Sequence, residues 1–324
     1  MGYAIKKMGS SIKPIKIKNT SGGGKLLWGC NGPSIDYLAI IADVDDAAIA
    51  SEMRQALLVL TKDTSVWLPS TKSGGGYSVA RRLRLGSLDQ LPKAVGKDSL
   101  PHLEWRWDAN GVSRLRLSFN PTTIGAEGML DLHNELQNIC HEGWKYFIQH
   151  GKLTRADIKY DVAHWSMGDF YVIPTHAVSQ ISWNKSGRFT GVVFGGSKGR
   201  QLRVYDLKEK HGMNGVRLEC KTLPNMPLIA LPKMANPFAK YVVATACLPA
   251  PKALKSWEWS LLCHAATTIG MANAIKKLPT QYMRSLVKNH IASFPAPTWK
   301  ANELWKGWKA AVINSKLVNP SAWY

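Results

Sequence analysis

The stretch HLEWRWDANGVSRLRLSF, His102 to Phe119, alternates side chains of opposite character on either side of an Asn110-Gly111 dipeptide. Leu103, Trp105 and Trp107 share one parity and Glu104 and Arg106 the other; past the turn, Leu115, Leu117 and Phe119 alternate with Arg114 and Arg116. Successive side chains of a strand point to opposite faces, and Asn-Gly supplies the positive backbone angles of a tight hairpin. The segment therefore reads as an antiparallel hairpin with one apolar and one charged face, and the apolar face has to be covered by another layer.

Five more segments carry strand patterns: IDYLAII (35–41), RADIKYDV (155–162), TGVVFG (190–195), QLRVYDL (201–207) and VRLEC (216–220). Helical spacing occurs at Ile49, Met53, Leu57 and Leu60, behind a capping Asp45 or Asp46, and again from Glu127 to His150 through Met129, Leu132, Leu136, Ile139 and Phe147. The second of these is the helix expected to cover the hairpin. The fold class read from this pattern is α+β, a mainly antiparallel sheet with helices on one face, plus a basic helical C-terminal region. Residues 1–33, which hold lysines and glycines but no acid, read as a basic flexible arm; 34–248 as an α+β domain; and 249–324 as the basic helical region. Between Lys252 and Lys316 that last region has ten Lys or Arg against two acids. Its Trp299, Trp305 and Trp308 are spaced as core residues of a helix, although tryptophans among lysines can also stack on unpaired bases. The sequence shows no internal repeat.

The formal charge of +20 favours a polyanionic partner, nucleic acid before an anionic membrane surface. With 45% hydrophobic residues and 13 tryptophans the chain is globular rather than disordered. No run of about 18 apolar residues, as a spanning helix would need, occurs, and the N-terminal lysines precede no apolar signal segment. Cys30, Cys140, Cys220, Cys247 and Cys263 are scattered and form no CxxC pair, which fits reduced thiols in a cytoplasm.

Strand parity also sorts the polar residues. In RADIKYDV, Ile158, Tyr160 and Val162 share the apolar face and Arg155, Asp157, Lys159 and Asp161 the other; in QLRVYDL, Leu202 and Val204 oppose Arg203 and Tyr205; in VRLEC, Val216, Leu218 and Cys220 oppose Arg217 and Glu219. If these strands are neighbours, one face presents a tyrosine, carboxylates and arginines together. That set can break a phosphodiester through a tyrosine, provided a metal or nearby cations stabilise the phenolate and the phosphate charge. The same alternation also describes a solvated face of paired ions. Hard cations such as Mg²⁺ or Mn²⁺ take carboxylate oxygens, and the candidates are Asp157, Glu219, Asp161 and Glu104. Asp157 and Asp161 lie roughly 13 Å apart along one strand at about 3.3 Å per residue, too far to bind one ion directly. The glycine-rich GGSKG before the Tyr205 strand fits a hairpin turn better than a phosphate-binding loop.

Taken in order, IDYLAI, RADIKYDV, FGGSKGRQLRVYDLKEK and VRLECKT resemble the Rep_trans-type rolling-circle replication initiators of plasmids and conjugative elements, and the related initiators of filamentous phages. The resemblance spans roughly residues 35–225 and implies a replication-initiator or relaxase-like fold and a site-specific nickase. Tyr205 would be the nucleophile that forms a 5′-phosphotyrosine link and frees a 3′-hydroxyl primer. Lys208 and Arg203 would act beside it on the phosphate, while Asp157 and Glu219 match the carboxylates of the R-x-D and R-x-E strands. Arg155, Lys159, Lys198, Arg200 and Arg217 would contact DNA. Also implied are a divalent metal, a replication origin single-stranded at the nick, a host helicase and no membrane, with room for a homodimer. The His-hydrophobe-His motif of many other initiators is missing, and no second tyrosine accompanies Tyr205 at short spacing. The competing readings are a non-enzymatic nucleic-acid-binding protein, regulatory or packaging, and a tyrosine recombinase, whose helical catalytic domain the strand setting of Tyr205 disfavours.

Overall fold

The computed structural model describes residues 32–72, 74–87, 100–176, 179–297, 299–315, 317–319 and 321. Apart from its last two residues, the expected basic arm lies outside them. The chain opens with β1 (Ser34–Asp43), α1 (Ala47–Leu60) and two short strands, β2 (Trp67–Pro69) and β3 (Val79–Leu83). The hairpin β4 (His102–Asp108) and β5 (Gly111–Phe119) follows, then α2 (Pro121–Gln137) and α3 (Trp144–His150). A second half begins with β6 (Lys152–Ala163) and runs through β7 (Phe170–Pro174), β8 (Gln180–Lys185), β9 (Arg188–Phe194), β10 (Gln201–Asp206), α4 (Leu207–His211) and β11 (Gly215–Thr222). β12 (Met226–Pro227) and β13 (Tyr241–Thr245) precede α5 (Ser256–Ile269), α6 (Met271–Lys276), α7 (Gln281–Ala292), α8 (Ala301–Lys306) and α9 (Trp308–Asn314).

The fold is α+β, as the sequence pattern implies, and all of its strand pairs are antiparallel. Ten strands form one path in the order β2-β3-β4-β5-β1-β6-β11-β10-β9-β8, with β12 pairing alongside β6. The order is symmetrical about the β1–β6 seam. On each side a central strand, an insertion and a hairpin follow one another, and the second hairpin strand pairs with the central strand. The chain thus repeats a topology that its sequence does not display.

The helices α1, α2 and α3 lie on one face, over an apolar layer that includes Leu38, Ile40, Leu103, Leu117, Ile158, Val204 and Leu218. Asp46 caps α1 by accepting from the backbone N–H groups of Ala48 and Ile49. Ile49, expected on the buried stripe, is 38% exposed; Ala50, Met53 and Leu57 form that stripe instead. Gly111 serves two purposes, because its φ of +135° shapes the hairpin turn and a Cβ there would fall 2.3 Å from the Ala50 carbonyl oxygen.

The single helix expected from Glu127 to His150 is two helices, with a break at residues 138–143. Gly143, at φ +55°, turns the chain so that Trp144 enters the core, where its indole N–H donates to the Leu317 carbonyl at 3.0 Å. The basic C-terminal helices divide between two cores. α5, α6 and α7 pack on the two-stranded β7–β13 sheet through Leu262, Ile275, Val287 and Ile291, while Trp299, Trp308, Val312 and Leu317 join the main core. Trp305 stacks on Trp308 at 4.4 Å, and their indole N–H groups donate to Met234 and Leu231 carbonyls, which makes them core residues rather than open stacking platforms. No helix of the described residues is long and apolar enough to cross a membrane.

Truncating Trp308 to alanine should lower stability by about 3–5 kcal/mol, the usual cost of emptying a buried tryptophan site. Urea denaturation should show the loss as a lower midpoint, with the sheet and the C-terminal helices still melting together.

Candidate functional site

The face of the sheet opposite α1, α2 and α3 is where the sorted polar residues meet. Register places Tyr205 beside Arg217, Arg203 beside Glu219, Glu219 beside Lys159, and Arg217 beside Asp161. Residues directly opposed across strands share a face, so β6, β10 and β11 assemble the tyrosine, carboxylates and arginines expected of them. The face is polar without being open. Asp157 is 3% exposed, Glu219 5%, Arg217 8% and Tyr205 9%.

The Tyr205 hydroxyl donates to Glu219 Oε2 at 3.3 Å and also accepts a hydrogen bond from Arg217. Burial, then the Glu219 charge, push this phenol up to about 12. Glu219 Oε1 accepts from Arg203 at 3.1 Å. Arg217 grips Asp161 through two bonds of 2.6 and 2.8 Å, and Arg155 holds Asp157 from Nε at 2.8 Å while stacking over the Tyr37 ring at 4.4 Å. Each carboxylate of the face is thus matched to a guanidinium or an ammonium, the arrangement that buried charges require.

A cleft of about 330 Å³ crosses this face, lined by Asp36, Tyr37, Arg82, His102, Asn120, Asp157, Arg203 and Glu219. Tyr205 adjoins it through Glu219. Asp36 is the residue that strand parity does not select. A register shift between Ile35 and Tyr37 in the β1–β6 pairing brings Asp36 to Lys159, and Asn120, the N-cap of α2, donates to the same carboxylate at 3.4 Å. The available signal is a lone carboxylate within the apolar run Ile35, Leu38 and Ile40. His102 also lines the cleft, its Nε2 buried without a hydrogen-bond partner; burial lowers the pKa of the ring.

Other expected residues fall elsewhere. Glu104, fully buried and paired with Arg116, is four strands from Glu219, about 19 Å at about 4.8 Å per strand, so the two do not share an ion. Lys208 stands exposed on α4, at the rim of a separate cleft of about 650 Å³ between β9 and the α5–α6 pair. Lys198 and Arg200 are exposed in the β9–β10 connection, the hairpin turn expected of GGSKG. Arg200 joins Lys221, Lys233 and Lys240 around a smaller cleft of about 220 Å³. Among the described residues no three His, Cys, Asp or Glu side chains are gathered closely enough to hold a metal ion. Asp36, Asp157 and Glu219 nevertheless line one cleft, and their oxygens are the donor type that Mg²⁺ and Mn²⁺ take. No protein-family model matches the chain, and no curated protein matches it.

Asp36 makes stability depend on acid. Burial opposes its charge, but Lys159, by charge and hydrogen bond, together with Arg217 and Asn120, brings the carboxyl below its ordinary range. A folded-state pKa below the unfolded one stabilises the fold above the unfolded value, about 3.9, and that contribution disappears as pH falls through the folded value. Asp36→Asn should be less stable than wild type at neutral pH, with the gap closing below about pH 4; urea midpoints across pH measure it, and a constant gap would rule the ion pair out as its source.

Proposed function

We propose that the chain is a site-specific single-strand DNA endonuclease that initiates rolling-circle replication, with Tyr205 as its nucleophile. The observation that carries this reading is the position of the Tyr205 hydroxyl between a carboxylate acceptor and a guanidinium donor, Glu219 and Arg217. The resemblance of the strand motifs to Rep_trans-type initiators supports it, as does the charge of +20.

In this mechanism the phenol oxygen attacks the scissile phosphorus and passes its proton to Glu219. A bond forms between Tyr205 Oη and phosphorus, and the bond from phosphorus to the 3′-oxygen breaks. The departing 3′-oxygen takes a proton from solvent and becomes the primer hydroxyl. Arg217 holds the phenol oxygen as charge develops on it, and Arg203 lies within reach of the phosphate once that phosphate competes with Glu219 for its guanidinium. If a divalent metal takes part, Asp36 and Asp157, which line the same cleft, would have to draw together to offer it oxygen donors, and Mg²⁺ or Mn²⁺ held there would offset the charge of the phosphate and phenolate. Lys208, Lys198 and Arg200 serve as more distant backbone contacts.

A second reading, a nucleic-acid-binding protein without cleavage, is favoured by the burial of Tyr205 and by its phenol being pushed up to about 12. One assay separates them. Wild type and Tyr205→Phe are incubated with supercoiled DNA of the parent replicon and with labelled single strands from it, with Mg²⁺ or Mn²⁺, and resolved on a denaturing gel. The nickase reading expects a protein-linked DNA band with wild type alone, lost on chelation, and a rate lower by about 10²–10⁴-fold for Glu219→Gln. Equal binding by both proteins with no cleavage by either overturns it.

A further inference from the structure

On the polar face, β9 carries a gap beside Tyr205. Gly191 is the β9 residue opposite Tyr205, and on its other side it faces Trp183 of the edge strand β8. These three positions share the face. The alternation is confirmed by Ser182, which points to the opposite side and bonds the Ile269 carbonyl and the Asn273 amide of the helical layer. Because Gly191 has no side chain, the Trp183 indole lies down on it: a Cβ at that position would be 2.6 Å from Trp183 Cε3. The ring thereby covers the glycine while remaining 42% exposed, and its neighbour Ile181 is 63% exposed on the same face.

An edge strand is where solvent-exposed apolar side chains are least expected, since charges and proline normally protect it. Here the edge presents a flat aromatic surface two strands from Tyr205, about 10 Å between backbones at about 4.8 Å per strand. Arg203 and Arg217 on the same face are each paired with a carboxylate, and the attraction for a polyanion comes from the overall charge of +20. A polyanion that also offers flat, unpaired rings matches both features; single-stranded DNA does so, whereas a duplex keeps its rings stacked internally.

Resting on the nickase reading for the role of Tyr205, we propose that Trp183 is a stacking platform for an unpaired base flanking the phosphate addressed by Tyr205, with Gly191 keeping the platform flat. Trp183 is thus a positioning residue that fixes where along the single strand Tyr205 meets a phosphate. Its recognition is of base planes and tolerates sequence, so it selects single strands over duplex rather than one origin over another.

The experiment uses the full chain carrying Tyr205→Phe, which removes cleavage, and a short fluorescein-labelled single strand of mixed sequence, with the matching duplex as comparison. Anisotropy titrations should show Trp183→Ala binding the single strand about 5- to 150-fold more weakly, Trp183→Phe retaining most of the affinity, and duplex binding unchanged. Gly191→Ala should move in the direction of Trp183→Ala. Circular dichroism and urea midpoints check that each variant folds. Undiminished single-strand binding by a folded Trp183→Ala overturns the platform, as does an equal loss on duplex. If wild type forms no DNA adduct while Trp183→Ala still loses single-strand affinity, the platform stands and the nickase reading falls. If the adduct forms and Trp183→Ala binds normally, the reverse holds.

Discussion

Antiparallel pairing of β1 with β6 joins the two halves of the sheet, and every strand on the main path is attached through one or the other. This pairing sets the polar face as well as the core. Its regular part buries Leu38 against Ala156 and Ile35 against Ile158, while its two register shifts change which side chains reach the opposite surface. The shift at Ile35/Tyr37 gives Asp36 to Lys159 and places Tyr37 opposite Asp157, so that the Tyr37 ring lies under the guanidinium that holds Asp157. A slip of one residue would send these polar groups into the core and the leucines out of it. The core and the polar face therefore enforce the same register.

The polar face is a desolvated network rather than a row of surface ion pairs. Glu104, Asp157 and Glu219 are each no more than 5% exposed and each is paired with an arginine. Removing one partner from such a pair leaves a buried charge uncompensated, which typically costs about 3–5 kcal/mol, whereas pairing itself adds little net stability. What the network provides is a fixed placement of Arg155, Arg203 and Arg217 against their carboxylates. Under the proposed reading, a phosphate entering the cleft would compete with Glu219 for Arg203, which lines it.

Much of this arrangement is legible in the sequence because period-two alternation is strict in the strands that matter. RADIKYDV, QLRVYDL and VRLEC sort their side chains onto faces as their registers place them, and the Asn110-Gly111 hairpin forms where its dipeptide indicates. The illegible parts have physical causes. A β-bulge leaves no signature in alternation, so Asp36 escapes notice. Parity says which face a residue occupies but not which strands adjoin, so Glu104 and Glu219 look alike although four strands part them. The edge strand QISWNK is mostly exposed and carries no core pattern, and Trp183 becomes meaningful only once Gly191 is seen beneath it. The break before Trp144 depends on where an indole fits, which helical spacing does not encode.

The seam between β1 and β6 also has a timetable. Asp36 meets Lys159 across 123 residues of chain. At a synthesis rate of about 5–20 residues per second, the carboxylate waits about 6–25 seconds for its ammonium partner. Meanwhile β1 can already pair with β5, since that half is complete once Phe119 has emerged. Tyr205, Arg217 and Glu219 arrive still later, on a hairpin that ends at Thr222. A nascent chain can therefore hold a half-sheet with a bare edge long before Tyr205 is made, and whatever shields that edge during the interval bears on how much of the protein reaches the native sheet.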